Sequence, residues 1–191
     1  MVRHYLPNIY WGVMMTDEDL KGLRAMAHPV RLRMVSLLTG SAMSAAEVAR
    51  ELGLTHANAS YHLRILLDSG EIVEAGEERI RGGVAKKYRY PHELRGHNPR
   101  RRTSAEDHVL YARTLGRELE RRVQERKART KSLSSDLEGW VTPEVWERAL
   151  DLLTEASHLL HDHNQPPRTP GTLHVSASSW AFQMTRGEDA S

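Results

Sequence analysis

The 191-residue sequence has no cysteine, one phenylalanine and no apolar run of about 18 residues. The absence of cysteine excludes disulfides, thiolate metal sites and cysteine nucleophiles. Without a long apolar run, no membrane-spanning helix is expected. The N-terminal MVRHYLPNIYWGVMM is interrupted by Pro7, Asn8 and Gly12 and has no small-residue cleavage site, so it does not resemble a signal peptide. We therefore expect a soluble, cytoplasmic protein with no membrane contact.

The net charge of +2 is unevenly distributed along the chain. Residues 21–102 carry 15 basic and 8 acidic side chains, whereas residues 103–191 carry 11 basic and 14 acidic ones. A basic surface confined to one module is typical of a protein that binds a polyanion. A solvated basic face without a partner would give the same count, so charge alone leaves both interpretations open.

Four short helices are predicted between residues 16 and 70. Thr16 precedes three acidic residues, and the first helix ends at His28-Pro29, where proline suits the first turn of the second helix. The second helix stops at Gly40. Ser44 and Glu47 form a capping-box pattern for the third helix, which ends at Gly53. Thr55 caps the fourth, which runs to about Ser69.

The pattern changes after Gly70. EIVEA (71–75) and AKKYRY (85–90) predict the two strands of a β-hairpin around Gly82-Gly83. A proline- and arginine-rich connector follows over 91–102. Amphipathic helices are predicted over 104–131 and 142–163, with a linker at 133–140, and the alternating segment TLHVSASSWAFQM (172–184) predicts a C-terminal strand.

The third and fourth helices have the residue types of a helix-turn-helix unit. Ala49 is small where the helices would cross, and Gly53 tolerates a positive φ in the turn. The apolar residues of the fourth helix (Ala59, Leu63, Leu66 and Leu67) would face the bundle, which leaves its polar face for the DNA major groove. The candidate DNA-reading residues are Thr55, His56, Ala57, Asn58, Ser60, Tyr61, His62 and Arg64.

Three of these residues have an alternative role. His62 could point back into the bundle, Asn58 could only stabilise the helix start, and Arg64 could face phosphate or solvent. The hairpin after the helix would form a wing. Its candidate contacts to phosphate or the minor groove are Arg79, Arg81, Lys86 and Lys87.

The region 17–92 resembles the winged helix-turn-helix of ArsR-type bacterial repressors. The resemblance rests on LRAMAHPVRLRMVSLL (23–38), SAAEVARELGLTHANASYHLRIL (44–66) and LLDSGEIVEAGEERIRGGVAKKYRY (66–90). It implies a repressor that binds a pseudopalindromic operator in double-stranded DNA as a homodimer. The family's reading positions map onto His56, Ala57, Ser60 and Tyr61.

The expected fold class is mainly α with a small β-hairpin. An N-terminal extension over 1–15, for which disorder is one interpretation, precedes a winged helix-turn-helix domain over 16–92. A linker (93–103) leads to a helical dimerisation and effector region with a C-terminal strand (104–191). An amphipathic helix of some 25 residues cannot hide its apolar stripe against a small winged domain, so we expect the 104–131 helix to pair in a dimer. A helical hairpin within a monomer is the alternative.

No catalytic motif or cofactor-binding pattern occurs, and we expect neither enzymatic activity nor a cofactor. Asp151, Glu155, His158 and His161 share helical spacing and could bind a metal, although histidines at a helix end more often meet the negative dipole there. Trp140, Trp146, Trp180 and Phe182 could line a pocket for an apolar small-molecule effector, or simply cover the core. A protein–protein interaction module is the alternative to DNA binding.

Overall fold

A computed structural model describes residues 17–80, 83–91 and 105–184. The elements, in chain order, are α1 (Asp17–Met26), α2 (Pro29–Gly40), β1 (Met43–Ser44), α3 (Ala45–Leu52), α4 (His56–Asp68), β2 (Val73–Ile80), β3 (Gly83–Arg89), α5 (Ala105–Gln124) and α6 (Pro143–Asp162). The predicted fold class, mainly α with a small sheet after a helix-turn-helix, is confirmed. The predicted N-terminal extension (1–15) and the linker at 93–103 lie outside the described residues.

The helix boundaries follow the capping residues. Ser44 and Glu47 form the predicted capping box at α3, and the Thr55 hydroxyl accepts a hydrogen bond from the backbone N–H of Asn58 at 3.2 Å to begin α4. His28 caps α2, since its Nδ1 accepts a hydrogen bond from the backbone N–H of Val30 at 3.2 Å. These local bonds satisfy backbone donors that a helix start otherwise leaves without partners.

The sheet has three antiparallel strands in the order β1-β3-β2. Met43 pairs with Tyr88, and Ile80 pairs with Gly83 at the far end of the hairpin. The hairpin is longer than predicted, because residues 76–80 and 83–84, expected in the loop, belong to β2 and β3. Strand β1 was not predicted, since two residues carry no alternation that could mark a strand.

Gly53 holds the turn between α3 and α4. It has a φ of 65°, and its N–H bonds to the carbonyl of Ala49, one helical turn back. This left-handed conformation costs a residue with a Cβ about 1–2 kcal/mol. Glycine is therefore the residue that takes this conformation at least cost where the helix-turn-helix changes direction.

We expect Gly53→Ala to lower the free energy of unfolding by about 1–2 kcal/mol. Gly53→Asn is the matched control, because asparagine tolerates the left-handed region better, and it should lose less stability. Urea unfolding of the two variants and the parent chain measures the difference. Equal losses for alanine and asparagine would show that φ is not the cause.

A single apolar core packs the four helices α1, α2, α3 and α4 together and against the base of the hairpin. Its fully buried members include Met34, Leu38, Val48, Leu63, Leu66 and Ile72. Ala49 and Ala59 are also buried, which agrees with the predicted close crossing of α3 and α4. The core therefore fixes which side of α4 remains at the surface.

The C-terminal region departs from the prediction in three ways. Helix α5 ends at Gln124, so the predicted helix over 125–131 is wrong; these residues are exposed and lead into an exposed segment up to α6. No residue of α6 is buried, so its expected packing on α5 is not seen. Residues 172–184 form no strand. A strand needs a sheet edge that pairs with its backbone groups. This segment instead places Trp180 against Tyr111 of α5, and the centroids of the two rings are 5.8 Å apart.

The segment after α6 returns to the winged domain. Arg168 forms an ion pair with Glu51 of α3. A Cβ at Gly40 would lie 2.5 Å from the backbone oxygen of Gln165, so only glycine allows this close approach at the end of α2. Helix α6 is thus tethered to its own winged domain although none of its residues is buried.

Candidate nucleic-acid interface

Helix α4 carries two faces of opposite character. Ala59, Leu63 and Leu66 point into the core. Away from the core lie the exposed residues His56, Ala57, Asn58, Tyr61 and Arg64, with Ser60 half-buried beside them. The structure therefore brings six of the predicted reading residues to one accessible side of one helix.

The polar groups on this exposed face are little engaged by the part of the chain that the structure describes. The side chains of His56, Asn58 and Arg64 form no hydrogen bond or ion pair with any residue that the structure describes. The Tyr61 side chain is 51% exposed, and its ring meets the ring of His62 edge-on. Imidazole, amide, phenol and guanidinium groups are thus available to base edges or phosphates.

Asn58 is not needed to start the helix, because Thr55 already supplies the capping oxygen. The alternative in which Asn58 only stabilises the helix start therefore has no support in its contacts. Thr55 itself acts first as the cap, and its exposed position also leaves it beside any backbone phosphate that approaches the start of α4.

The structure places His62 as in the alternative stated from the sequence, and not among the DNA-reading residues. Its side chain is buried at 7% exposure, and its ring lies 4.7 Å from the ring of His28. His62 follows Tyr61 by one residue, which turns it about a quarter of the way round the helix, towards the junction of α1 and α2. It supports α4 from behind and is not available to read bases in this structure.

The junction of α1 and α2 positions the reading helix. Burial, followed by the charges of Arg31 and Arg33, lowers the pKa of His28; burial, His28 and Arg31 lower the pKa of His62. Neutral rings at pH 7 fit the role of His28 as a hydrogen-bond acceptor. Arg31 donates to the backbone carbonyls of Arg24 and Ala25 and closes the junction. The sequence marked this point only as a helix break.

The wing lysines are engaged by carboxylates. The Lys87 Nζ lies 2.7 Å from Glu47 and 2.8 Å from Glu78, and its side chain is only 18% exposed. The Lys86 Nζ lies 2.8 Å from Glu74. Hydrogen bonds to these carboxylates raise the pKa of both lysines. Lys87 links the wing to α3, so the expectation of a free phosphate contact there does not fit its surroundings.

Of the other two predicted wing residues, only Arg79 lies among the residues that the structure describes. Arg79 is exposed on β2, where it is accessible to a DNA backbone. Arg81 lies outside the described residues. Within the described part of the wing, Arg79 is therefore the remaining candidate whose side chain forms no ion pair with a carboxylate.

Glu47 connects the helix cap to the wing. Its Oε2 accepts hydrogen bonds from the backbone N–H of Ser44 at 2.7 Å, from the Ser44 hydroxyl at 2.8 Å and from Lys87 at 2.7 Å. Burial alone would raise the pKa of Glu47, but these hydrogen bonds outweigh burial and lower it to about 2. The capping box was predicted from its spacing, whereas the bond to Lys87, 40 residues away, has no signal in the sequence.

We expect Glu47 to make the stability of the winged domain depend on acidic pH. Its folded pKa lies below the ordinary value of 4.5, so its contribution is fully present above pH 4.5 and is lost as the pH falls towards 2. Glu47→Gln should remove this part of the pH dependence. Urea unfolding of both proteins at pH 6, 4 and 3 measures it, and parallel losses for the parent and the variant would contradict the assignment.

The candidate metal residues are not arranged as a site. No group of three or more His, Asp or Glu residues is placed to hold a metal ion in the part of the chain that the structure describes. Asp151, Glu155 and His158 are exposed, and the Nδ1 of His161 lies 2.7 Å from the carbonyl oxygen of Ser157, one turn back. This contact is the one expected of a histidine near a helix C-terminus.

The predicted aromatic pocket is not formed as expected. Trp180 and Phe182 contact each other, with ring centroids 5.9 Å apart, but Trp140 is 84% exposed and cannot line an enclosed site. A cavity of about 230 Å³ does lie between α6 and the C-terminal segment. Its lining residues are Leu150, Leu153, Thr154, Ser157, His158, Ser179 and Ala181, which include neither Trp146 nor the other three aromatic residues.

Comparisons with known proteins agree with the helix-turn-helix. Residues 26–74 match a family model described as a helix-turn-helix domain. No curated protein matches the chain. The chain is also similar to a crystal structure from Mycobacterium bovis described as a "possible transcriptional regulatory protein (fragment 1-100)", with 21% identity over 58% of this chain and 94% of that one, at a TM-score of 0.35.

Among the described helices, none is both long and apolar enough to cross a membrane. The family match covers α2, α3 and α4, the elements that hold and present the exposed face. The chain therefore carries a helix-turn-helix domain, which supports its interpretation as a DNA-binding transcriptional regulator.

Proposed function

We propose that this chain is a sequence-specific transcriptional regulator of the ArsR type, which binds a pseudopalindromic operator as a homodimer and represses transcription. Helix α4 would enter the major groove, and Arg79 on β2 would contact the DNA backbone beside it. The observation that carries the proposal is the row of exposed polar side chains on α4, of which His56, Asn58 and Arg64 form no hydrogen bond or ion pair with a described residue. The opposite side of the helix is buried in the core.

The residue types on this face suit direct readout. Arginine pairs with guanine through two hydrogen bonds, asparagine pairs with adenine in the same way, and the methyl of an alanine packs on a thymine methyl. Arg64, Asn58 and Ala57 supply these three chemistries, and Tyr61 adds a phenol that can donate or accept. We propose that His62 and Lys87 act behind the interface, in positioning α4 and the wing.

Selection from a random duplex library tests the proposal. Purified protein is incubated with the library, bound DNA is recovered over several rounds, and the enriched sequences are read. We expect one enriched motif with two-fold symmetry and half-sites about one helical turn apart. Enrichment of a single half-site would remove the dimer from the proposal, and no enrichment would overturn sequence-specific binding.

Repression has its own test. The enriched motif is placed between a promoter and a reporter gene, and expression is compared with and without the protein. A fall in expression supports a repressor, whereas a rise would show an activator. A reporter with the two half-sites scrambled is the control.

A further inference from the structure

Helix α5 packs on the winged domain through its polar side. Asp107, Thr114 and Glu118 are its buried residues. The carboxylate of Asp107 lies 2.7 Å from the Nε of Arg24 in α1, and Glu118 lies 4.0 Å from the Nε of Arg33 in α2. The groups that a surface helix usually turns to solvent therefore hold this helix to its own chain.

The apolar positions of α5 consequently point outward. Val109, Leu119 and Val123 are 45–57% exposed. The outward row runs along the whole helix at alternating spacings of four and three residues, the repeat by which two helices pack side by side. Its members are Ala105, Val109, Ala112, Gly116, Leu119 and Val123.

Helix α6 carries a second uncovered row with the same repeat. Val145, Leu152 and Leu159 are 49–61% exposed, and Ala149 and Ala156 lie between them. The neighbouring side of α6, at Leu150, Leu153 and Ser157, faces the C-terminal segment instead. Each helix has 20 residues, about 30 Å, so the described part of the chain leaves two long apolar rows uncovered.

Size and charge make the two rows complementary. Both rows mix small and large residues: Ala105, Ala112 and Gly116 lie among valine and leucine residues on α5, and Ala149 and Ala156 do so on α6. The large residues of each row can therefore pack over the small residues of the other. Helix α5 carries four basic and four acidic side chains, but two of the acidic ones, Asp107 and Glu118, are buried against the winged domain, so its accessible side chains carry a net +2; α6 carries one arginine and five carboxylates, a net −4. Pairing α5 with α5, or α6 with α6, would oppose like charges.

We propose that a second copy of this chain covers both rows, with α5 of each copy packed against α6 of the other. A two-fold axis makes the two contacts equivalent, as a closed dimer requires. The proposal names the interface of the dimer in the proposed function and rests on that dimer. A partner is needed because α6 is tethered to its own winged domain through Gln165 and Arg168, yet buries no residue on its own α5.

Charge reversal tests this pairing. One variant carries Arg113→Glu and Arg117→Glu on α5, and a second carries Asp151→Lys and Glu155→Lys on α6; all four residues are exposed and none forms an ion pair with a described residue. We expect each variant to raise the dimer dissociation constant at least about tenfold in sedimentation experiments, because like charges then meet at both contacts. A 1:1 mixture of the two variants should form a heterodimer, and a chain with all four reversals should recover the homodimer.

The controls separate this pairing from others. Asp136→Lys with Glu138→Lys makes the same charge change in the exposed segment before α6 and should leave the dimer unchanged. If single reversals weaken the dimer but the fourfold variant does not recover it, or if neither reversal matters, the α5–α6 pairing is wrong. A parent chain that stays monomeric overturns the interface. Library selection then decides separately whether DNA binding stands, and circular dichroism confirms that each variant is folded.

Discussion

Arg64→Ala is expected to lower the affinity for the selected operator by about 1–3 kcal/mol, which is about five- to 150-fold, and to relax base preference at one position of each half-site. The reason is that Arg64 is exposed on α4, forms no ion pair with a described residue and has the fork geometry that guanine accepts. Tyr61→Ala should also change preference, since its phenol is half exposed beside Ser60. Fluorescence anisotropy with the operator and with single-base variants measures both effects.

Two matched arginine variants make this prediction specific. Arg148→Ala removes one exposed positive charge from α6, far along the chain from α4, and should leave base preference unchanged. Arg79→Ala on the wing should weaken all sequences alike and reduce the salt slope by about one, because it would remove a phosphate contact. If Arg64→Ala behaves like Arg79→Ala on every sequence, Arg64 contacts phosphate, and the alternative stated from the sequence is the correct one.

Leu66→Ala is expected to lower the free energy of unfolding by about 2–5 kcal/mol. Leu66 is fully buried on the inner face of α4, where truncation leaves a cavity between that helix and the rest of the core. Urea unfolding followed by circular dichroism measures the loss, and a lower midpoint with an unchanged slope identifies stability as the cause. Specific DNA binding should fall with it, because the same face anchors the reading helix.

Arg64→Ala serves as the stability control for Leu66→Ala on the same helix. An exposed side chain without partners usually changes stability by less than about 0.5 kcal/mol. The two substitutions should therefore have different effects. Leu66→Ala should lower both the stability and the DNA affinity, whereas Arg64→Ala should lower the DNA affinity alone. Equal stability losses would mean that the inner and outer faces of α4 are not assigned correctly.

Local chemistry made the winged domain largely predictable. Capping interactions join residues that are no more than one helical turn apart. The positions of Ser44, Glu47, Gly53 and Thr55 in the sequence therefore already fix where α3 and α4 begin or end. The close crossing of these helices was predicted from Ala49, and Ala59 is buried as the predicted inner face of α4 requires. The hairpin was placed correctly, although its length depended on backbone pairing that no single residue specifies.

What the sequence did not show depends on partners far along the chain. His62 is buried where His28 approaches it from the junction of α1 and α2, and Lys87 is engaged because its pairing with Ser44 brings it next to Glu47 at the start of α3. The way α5 is held also depends on distant partners. Its apolar row was expected not to pack on the winged domain, but nothing in the sequence showed that Arg24 and Arg33 would hold the opposite, acidic side through contacts more than 80 residues apart.

The most direct test of the central claim is equilibrium binding to labelled DNA from upstream of the chain's own gene, beside a scrambled duplex of equal length, across a range of salt concentrations. The proposal predicts tighter binding to the upstream DNA, with a logarithmic affinity that falls linearly and steeply with the logarithm of salt concentration. Equal and weak binding to both duplexes would contradict it, because the basic surface alone would then account for the interaction and the exposed face of α4 would read no sequence.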